Sequence, residues 1–304
     1  MTMSVEAPDL PVERVIIPSV RDLGDGFRVR RALPSALRRM VGPFIFLDHF
    51  GPIVFGPGAG ANIRPHPHIG LSTLSYLLQG EIIHRDSVGN VQPIRAGDVN
   101  WMTAGDGIVH SERSPPTAQA QGGTLFGQQI WVALPKALEE MQPSFSHHAA
   151  GTLPEIEADG FSLAVIAGQA FGERSPVPVC SDLMYVDAVM KPGARLPVST
   201  EYVERGMFVV SGEIEIAGQS ETFSEAQFVV FRPGAEIVVR ARGSAHLILV
   251  GGEPFPEPRH IYWNFVSTSK ERIEQAKDDW RQDRFPKVAG ETEFIPLPPD
   301  LPLS

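Results

Sequence analysis

Between Arg64 and Glu112 the chain reads RPHPHIGLSTLSYLLQGEIIHRDSVGNVQPIRAGDVNWMTAGDGIVHSE, and this stretch holds its only dense cluster of metal-ligating side chain types. His66 and His68 stand two residues apart, and His110 and Glu112 repeat that spacing after the turn Ala104-Gly105-Asp106-Gly107. On a strand, residues i and i+2 project from the same face, so each pair would deliver two ligands side by side. Three neutral imidazoles and one carboxylate form a mixed nitrogen and oxygen set. It suits iron, manganese, nickel, copper or zinc and selects poorly among them on affinity. Closed structural zinc sites usually employ cysteine, and the chain has a single one, Cys180; the set therefore predicts an ion with coordination positions left open for water or substrate. A lone His-x-His is a weak signal. The second pair at matching spacing turns it into a candidate site.

These side chains need elements to position them. His66 and His68 lead into residues 72–78, rich in Thr, Tyr and Leu, which read as a strand closed by Gln79-Gly80. Gly80, Gly97, Gly105 and Gly107 fall at hairpin spacing, as folding one strand pair back beside the other requires. An apolar strand over 41–50 ends at His49, a candidate for contact behind the ligands. Residues 51–61, with four Gly and two Pro, read as a loop. His84 lies in the hairpin after Gly80, separated by a turn from the ligand strand, and reads as structural or solvent-facing and not as a fifth ligand. Alternation turns either Trp101 or Met102 inward, where an apolar wall would suit a flat organic substrate. Further on, Gln129, Trp131 and Ala133 share one strand face; residues 135–141 read as a short helix, and His147 and His148 as a polar linker.

The chain then repeats itself. MFVVSGEIEI at 207–216 parallels SYLLQGEII at 75–83, and AQFVVFRPG at 226–234 parallels GDVNWMTAG at 97–105. Aligning Gly80 with Gly212 sets Val198 and Thr200 against His66 and His68, and aligning Gly105 with Gly234 sets Val239 and Ala241 against His110 and Glu112. The second unit is expected to hold no metal. After it, residues 269–284 read as a helix, with capping-box spacing from Thr268 to Glu271, an apolar stripe of Ile273, Ala276 and Trp280, and Pro286 as a stop. Such a narrow stripe suits packing on the outside of a barrel. The first dozen residues read as a mobile arm and the tail from 291 as extended.

At 304 residues, 42% of them hydrophobic, the chain has the length and composition of a two-domain globular protein. A net charge of -10 with no basic block opposes direct nucleic-acid binding through the protein's own field. One cysteine excludes an intramolecular disulfide and fits a reducing compartment. The N-terminal residues lack the pattern of a signal peptide, and no apolar run reaches membrane-spanning length, so the expectation is a cytoplasmic protein without membrane contact.

HPHIG at 66–70, YLLQGEIIHRDSVGN at 76–90 and GDVNWMTAGDGIVHSE at 97–112 resemble the signature of the pirin family, within the cupin superfamily of small β-barrels. The similarity continues through QIWVALP at 129–135 and through residues 263–286, so it covers almost the whole chain. It implies an all-β bicupin: two antiparallel β-barrels of jelly-roll type with short peripheral helices and a C-terminal helix. Residues 1–140 would form the metal-binding barrel, and 141–304 a barrel without ligands plus the helix and tail. Pirins hold their metal by three His and one Glu, which fall here on His66, His68, His110 and Glu112. The Glu that follows the His-x-His pair in the general cupin pattern is absent, since Leu71, Ser72 and Thr73 occupy that region, and Glu112 supplies the carboxylate instead.

Two kinds of function follow from the resemblance. Some pirins act as quercetin 2,3-dioxygenases, which open flavonols with molecular oxygen. One divalent ion, Fe(II) foremost and Mn, Ni, Cu, Co or Zn otherwise, would then bind the flavonol 3-hydroxyl, with Glu112 as the candidate catalytic base. Others are non-enzymatic, metal-dependent regulators or redox sensors that act through a protein partner. A cupin isomerase or a binding module without turnover is a third reading. All share the same site.

Overall fold

The computed structural model describes residues 10–23 and 27–299. The arm expected at the N-terminus lies largely outside the described residues, as does the end of the tail over 300–304. Two units follow one another, each built from a large and a small antiparallel sheet, as the all-β, jelly-roll expectation required. In the first unit the large sheet runs in the order Ser144–His148, Val99–Thr103, Leu71–Gln79, Gly123–Ala133, Phe44–Phe55, Arg28–Leu33 and Ser19–Asp22. Its small sheet runs Asn62–His68, Ile108–Arg113, Glu81–Asp86 and Val91–Arg95. The second unit repeats the plan. Its small sheet, Arg195–Val198, Ile237–Ala241, Glu213–Ile216 and Thr222–Ser224, has the same sequential order as the first.

Strand alternation gives each large sheet two apolar faces, and one face of each meets the other across the middle of the molecule. Leu74, Tyr76, Trp101 and Ile130 of the first unit pack there with Tyr185, Phe208, Phe228 and Ile248 of the second. Two buried hydroxyls clasp the seam: Tyr76 donates to Asp187 at 2.6 Å and Tyr185 to Gln128 at 2.7 Å. Trp101 thus faces the other barrel, while Met102 points into its own, against Ala104, Ile108 and Phe145.

The division expected at residue 140 is crossed three times. Val12–Ile16 pairs with Phe228–Phe231 in the second unit's large sheet. His147 and His148, expected in a polar linker, belong to Ser144–His148, an edge strand of the first unit, where His147 Nδ1 bonds Asn100 Oδ1 at 2.8 Å. The last segment returns to the first barrel: Phe265, Ile273, Ala276 and Phe285 pack on Ile69 and Val109, so the C-terminal helix lies outside that barrel.

Other local expectations shift for identifiable reasons. The strand Phe44–Phe55 runs on through much of the predicted 51–61 loop because Gly123–Ala133 pairs with it along that length. Only a three-residue 3-10 turn, Lys136–Leu138, forms in 135–141. The helix Lys270–Arg281 is capped by Ser269, whose Oγ accepts from the Arg272 N–H at 3.2 Å. Thr268, expected as the cap, gives its N–H and hydroxyl to Glu139 instead. Among the described residues no helix is long and apolar enough to cross a membrane.

Candidate metal centre

The strands Asn62–His68 and Ile108–Arg113 pair antiparallel, with His110 opposite His66 and Ile108 opposite His68. Period-two geometry then turns the three imidazoles into the barrel together. The register slips between His110 and Glu112, which stands opposite Ile63, so the first strand bulges at Arg64-Pro65. A bulge accommodates Pro65 because proline has no N–H to give to a ladder. The ligand strand ends at His68 and does not run on into Leu71–Gln79, which belongs to the other sheet. Gly70 makes the corner between them at φ +69°; a Cβ there would lie 1.9 Å from the Val266 carbonyl oxygen. Glycine therefore admits the strand Phe265–Ser267, whose Val266 N–H bonds the Ile69 carbonyl at 3.2 Å.

The ligating atoms of His66, His68 and His110 all lie within 4.8 Å of one another. His66 Nδ1 meets the Arg64 carbonyl at 2.9 Å, which leaves Nε2 as its free nitrogen. His68 Nε2 and His110 Nε2 stand 3.1 Å apart. That is about the separation of two nitrogens each held about 2.0–2.1 Å from a single ion. The rings are 7%, 1% and 1% exposed, so water does not compensate them. Burial lowers the His66 pKa to about 4; burial and then neighbouring imidazoles hold His68 and His110 well below the usual range. All three are therefore neutral near pH 7, the state that ligates a metal. Crowded neutral nitrogens facing one another in a dry pocket fit a divalent cation placed between them.

Glu112 stands outside that cluster of three. It is buried, and its Oε1 lies 2.9 Å from Ser75 Oγ, which is also 2.9 Å from Gln129 Oε1. One hydroxyl proton cannot serve two acceptors. Gln129 Nε2 has no partner, and turning that amide over would give an unbroken chain of donors from Gln129 through Ser75 to Glu112. Burial raises the Glu112 pKa, against the opposing influence of His84 and the Ser75 hydrogen bond.

Of the two sequence readings of His84, the structural one holds and the solvent-facing one does not. It is 3% exposed and stands opposite Glu112 in the sheet, with Nδ1 3.4 Å from His110 Nδ1. Its Nε2 lies 3.0 Å from Asp86 Oδ2, and its ring stacks on Phe145 with centroids 4.5 Å apart. The spacing of His84 and Asp86, again i and i+2, was the available signal. Trp131 meets His68 edge-on at 5.1 Å and stacks on Phe46 at 3.8 Å, so the aromatic wall at the site is Trp131 and not Trp101. His49 is buried at the seam between the barrels, against Phe126 and Phe208, away from the ligands.

In the second unit Val198 stands opposite Ile237 as His66 stands opposite His110. Ile216 stands opposite Val239 as His84 stands opposite Glu112. Strand register therefore matches His110 and Glu112 to Ile237 and Val239. The ungapped alignment gave Val239 and Ala241 because the second unit's connection before this strand is two residues shorter.

Duplicated jelly-roll units with a buried three-histidine cluster in the first define a two-domain cupin whose first unit has side chains that fit a metal ion. Residues 26–132 match the Pirin family model and residues 185–286 the model for the pirin C-terminal cupin domain. The chain belongs to the pirin family. It is 50% identical to a pirin-like protein of Caulobacter vibrioides over 283 residues, 91% of this chain and 96% of that one. Its structure resembles that of a quercetin 2,3-dioxygenase from Acinetobacter baumannii, with a TM-score of 0.87, 33% identity and 95% of each chain covered. It also shares its fold with a bacterial pirin from Escherichia coli solved in complex with nickel(II), with a TM-score of 0.61 and 19% identity over 78% of this chain and 96% of that one.

Proposed function

We propose that this protein is a metal-dependent oxygenase of the quercetin 2,3-dioxygenase type, opening flavonols or related enols with molecular oxygen. His66, His68, His110 and Glu112 would hold one divalent ion, Fe(II) foremost. The observation that carries the reading is the convergence of three buried, neutral imidazoles with a carboxylate on the same strand as one of them. Similarity to the A. baumannii quercetin 2,3-dioxygenase supports the substrate class. A bound divalent ion supplies Lewis acidity that lowers the pKa of an enol hydroxyl and a place to bring oxygen beside it.

The chain's own residues do the rest. The histidines keep water from the ligating nitrogens by their burial. Glu112, held at Ser75, would add a carboxylate oxygen to the donor set and would be the base for the hydroxyl proton, a role to which its raised pKa is suited. Trp131, edge-on to His68 and stacked on Phe46, gives a planar ring an apolar surface to lie against. The test is metal analysis of protein purified without chelators, together with oxygen uptake on a panel of flavonols, normalised to bound metal. Metal-loaded protein that consumes no oxygen on any of them overturns the oxygenase reading.

The second reading, a metal-dependent regulator acting through a protein partner, has one observation in its favour. All four side chains are 7% exposed or less, and among the described residues three surface cavities of about 370, 570 and 950 Å³ are lined by other side chains. The largest of these three touches Pro65 and Val109, which alternation places on the opposite face from His66 and His110. Stoichiometric metal without turnover is the result this reading expects.

A further inference from the structure

We propose that Asp86 and His84 are positioning residues that fix the tautomer of His110, so that a side-chain relay decides whether this nitrogen can accept a cation. The inference rests on the metal reading above, but its central test needs no metal.

The direction of each hydrogen bond is dictated from the far end. Asp86 Oδ1 accepts the backbone N–H groups of Val88 at 3.1 Å and Asn90 at 2.9 Å, which lock the carboxylate in place. Oδ2 accepts from Asn90 Nδ2 at 2.9 Å and faces His84 Nε2 at 3.0 Å. A carboxylate only accepts, so in the neutral imidazole, which carries one N–H, the His84 proton sits on Nε2 and Nδ1 carries a lone pair. That lone pair lies 3.4 Å from His110 Nδ1, which must therefore be the donor, N–H toward His84. His110 Nε2 is left bare, aimed at the point shared with His68. Stacking on Phe145 holds the His84 ring against turning over. His66, by contrast, is set by a backbone carbonyl two residues away, which no substitution removes. A second observation supports the pairing of relay and ligands. Where the second unit has lost its ligands, register places Ile216 at the position of His84 and Gly218 at that of Asp86.

Asp86→Asn reverses the relay. At the Oδ1 position the amide Nδ2 would oppose two fixed backbone N–H groups, whereas at the Oδ2 position it opposes only the Asn90 side chain, which keeps its second bond to Oδ1 at 3.1 Å, so Nδ2 faces His84 Nε2 and donates to it. His84 then carries its proton on Nδ1, and His110 is driven to hold its own on Nε2, the ligating nitrogen. Selective ¹⁵N-histidine spectra of the metal-free protein should show His110 protonated at Nδ1 in the wild type and at Nε2 in the variant. Zn(II) affinity should fall by about 10- to 100-fold in Asp86→Asn. His84→Phe keeps the stack on Phe145 but removes the relay without opposing His110; it should give a mixture of tautomers and a smaller loss.

Wild-type His110 protonated at Nε2 overturns the relay, whatever the variants do. So does an Asp86→Asn protein with an unchanged His110 spectrum and wild-type Zn(II) affinity. A wild type that holds His110 at Nδ1 and switches on Asp86→Asn, yet binds no divalent ion, supports the relay and overturns the metal reading alone.

Discussion

The two barrels share a strand order and differ in what fills them. In the second, Val198, Ile237, Val239 and Ile216 occupy the places of His66, His110, Glu112 and His84, and they join Leu196, Met207 and Val209 in one continuous apolar core. In the first, the interior is divided into three smaller apolar clusters around the polar pocket. The second barrel also carries a charge of its own. Arg205 points inward, 1% exposed, and donates to the Ser199 carbonyl at 3.1 Å and the Ala235 carbonyl at 2.7 Å, tying together the two segments that follow and precede the ligand-equivalent strands. The same sheet plan thus carries polar groups in both interiors, and most of them are held by named partners. Three crowded imidazoles are a liability without a cation, and aliphatic side chains remove that liability together with the function.

The largest expected effect breaks the comparison on the first barrel's side. Glu112→Gln keeps the side chain's size and one ligating oxygen but removes most of its basicity. Under the oxygenase reading, turnover per bound metal should fall by roughly 10²- to 10⁴-fold, measured as oxygen uptake with quercetin. A fall of less than tenfold would show that Glu112 does not take the proton.

On the other side, Arg205→Met keeps the bulk and leaves two half-buried carbonyls without their charged donor. It should cost about 4 kcal/mol of stability in urea unfolding, with metal content unchanged. A cost near zero would mean that water reaches those carbonyls and that the second barrel's mouth is not closed by the guanidinium.

A third test uses the seam between the barrels. Burial first, then the charges of Arg30 and His246, lowers the His49 pKa to about 4. Between pH 6.5 and 4 the unfolded chain binds a proton that the folded chain refuses. Stability is therefore full above pH 6.5, falls as the pH drops to 4 and levels off below it. At about 1.4 kcal/mol per unit this amounts to roughly 3 kcal/mol, and His49→Leu should flatten the acid limb of the metal-free protein by that amount. His66, with a pKa also lowered to about 4, adds the same sign of dependence from the site itself. Chemical unfolding at stepped pH reads the difference.

The smallest effect sharpens the claim that the second barrel is structural. Ile237→Val, at the place of His110, should cost about 1 kcal/mol and leave one ion per chain. His110→Ala should lower the metal content itself. Equal metal in the two variants would put the ion somewhere else.

Much of this was written in the chain before any folding. The period of two in His66-x-His68 and His110-x-Glu112 decides which side chains share a face, and the repeat around Gly80 and Gly212 decides that the plan occurs twice. The helix after residue 269 is equally legible, because its cap and stripe are local. What tertiary structure alone decided is which faces meet. Nothing local says that Trp101 turns to the other barrel while Trp131 stands beside His68, since alternation fixes relative and not absolute direction. Nothing local says that His84 lies behind His110, 26 residues away, or that residues 265–285 fold back onto the first barrel. Those are consequences of register and packing between strands distant in sequence, where one residue of bulge at Arg64-Pro65, or two residues fewer in a connection, moves a side chain to a different partner.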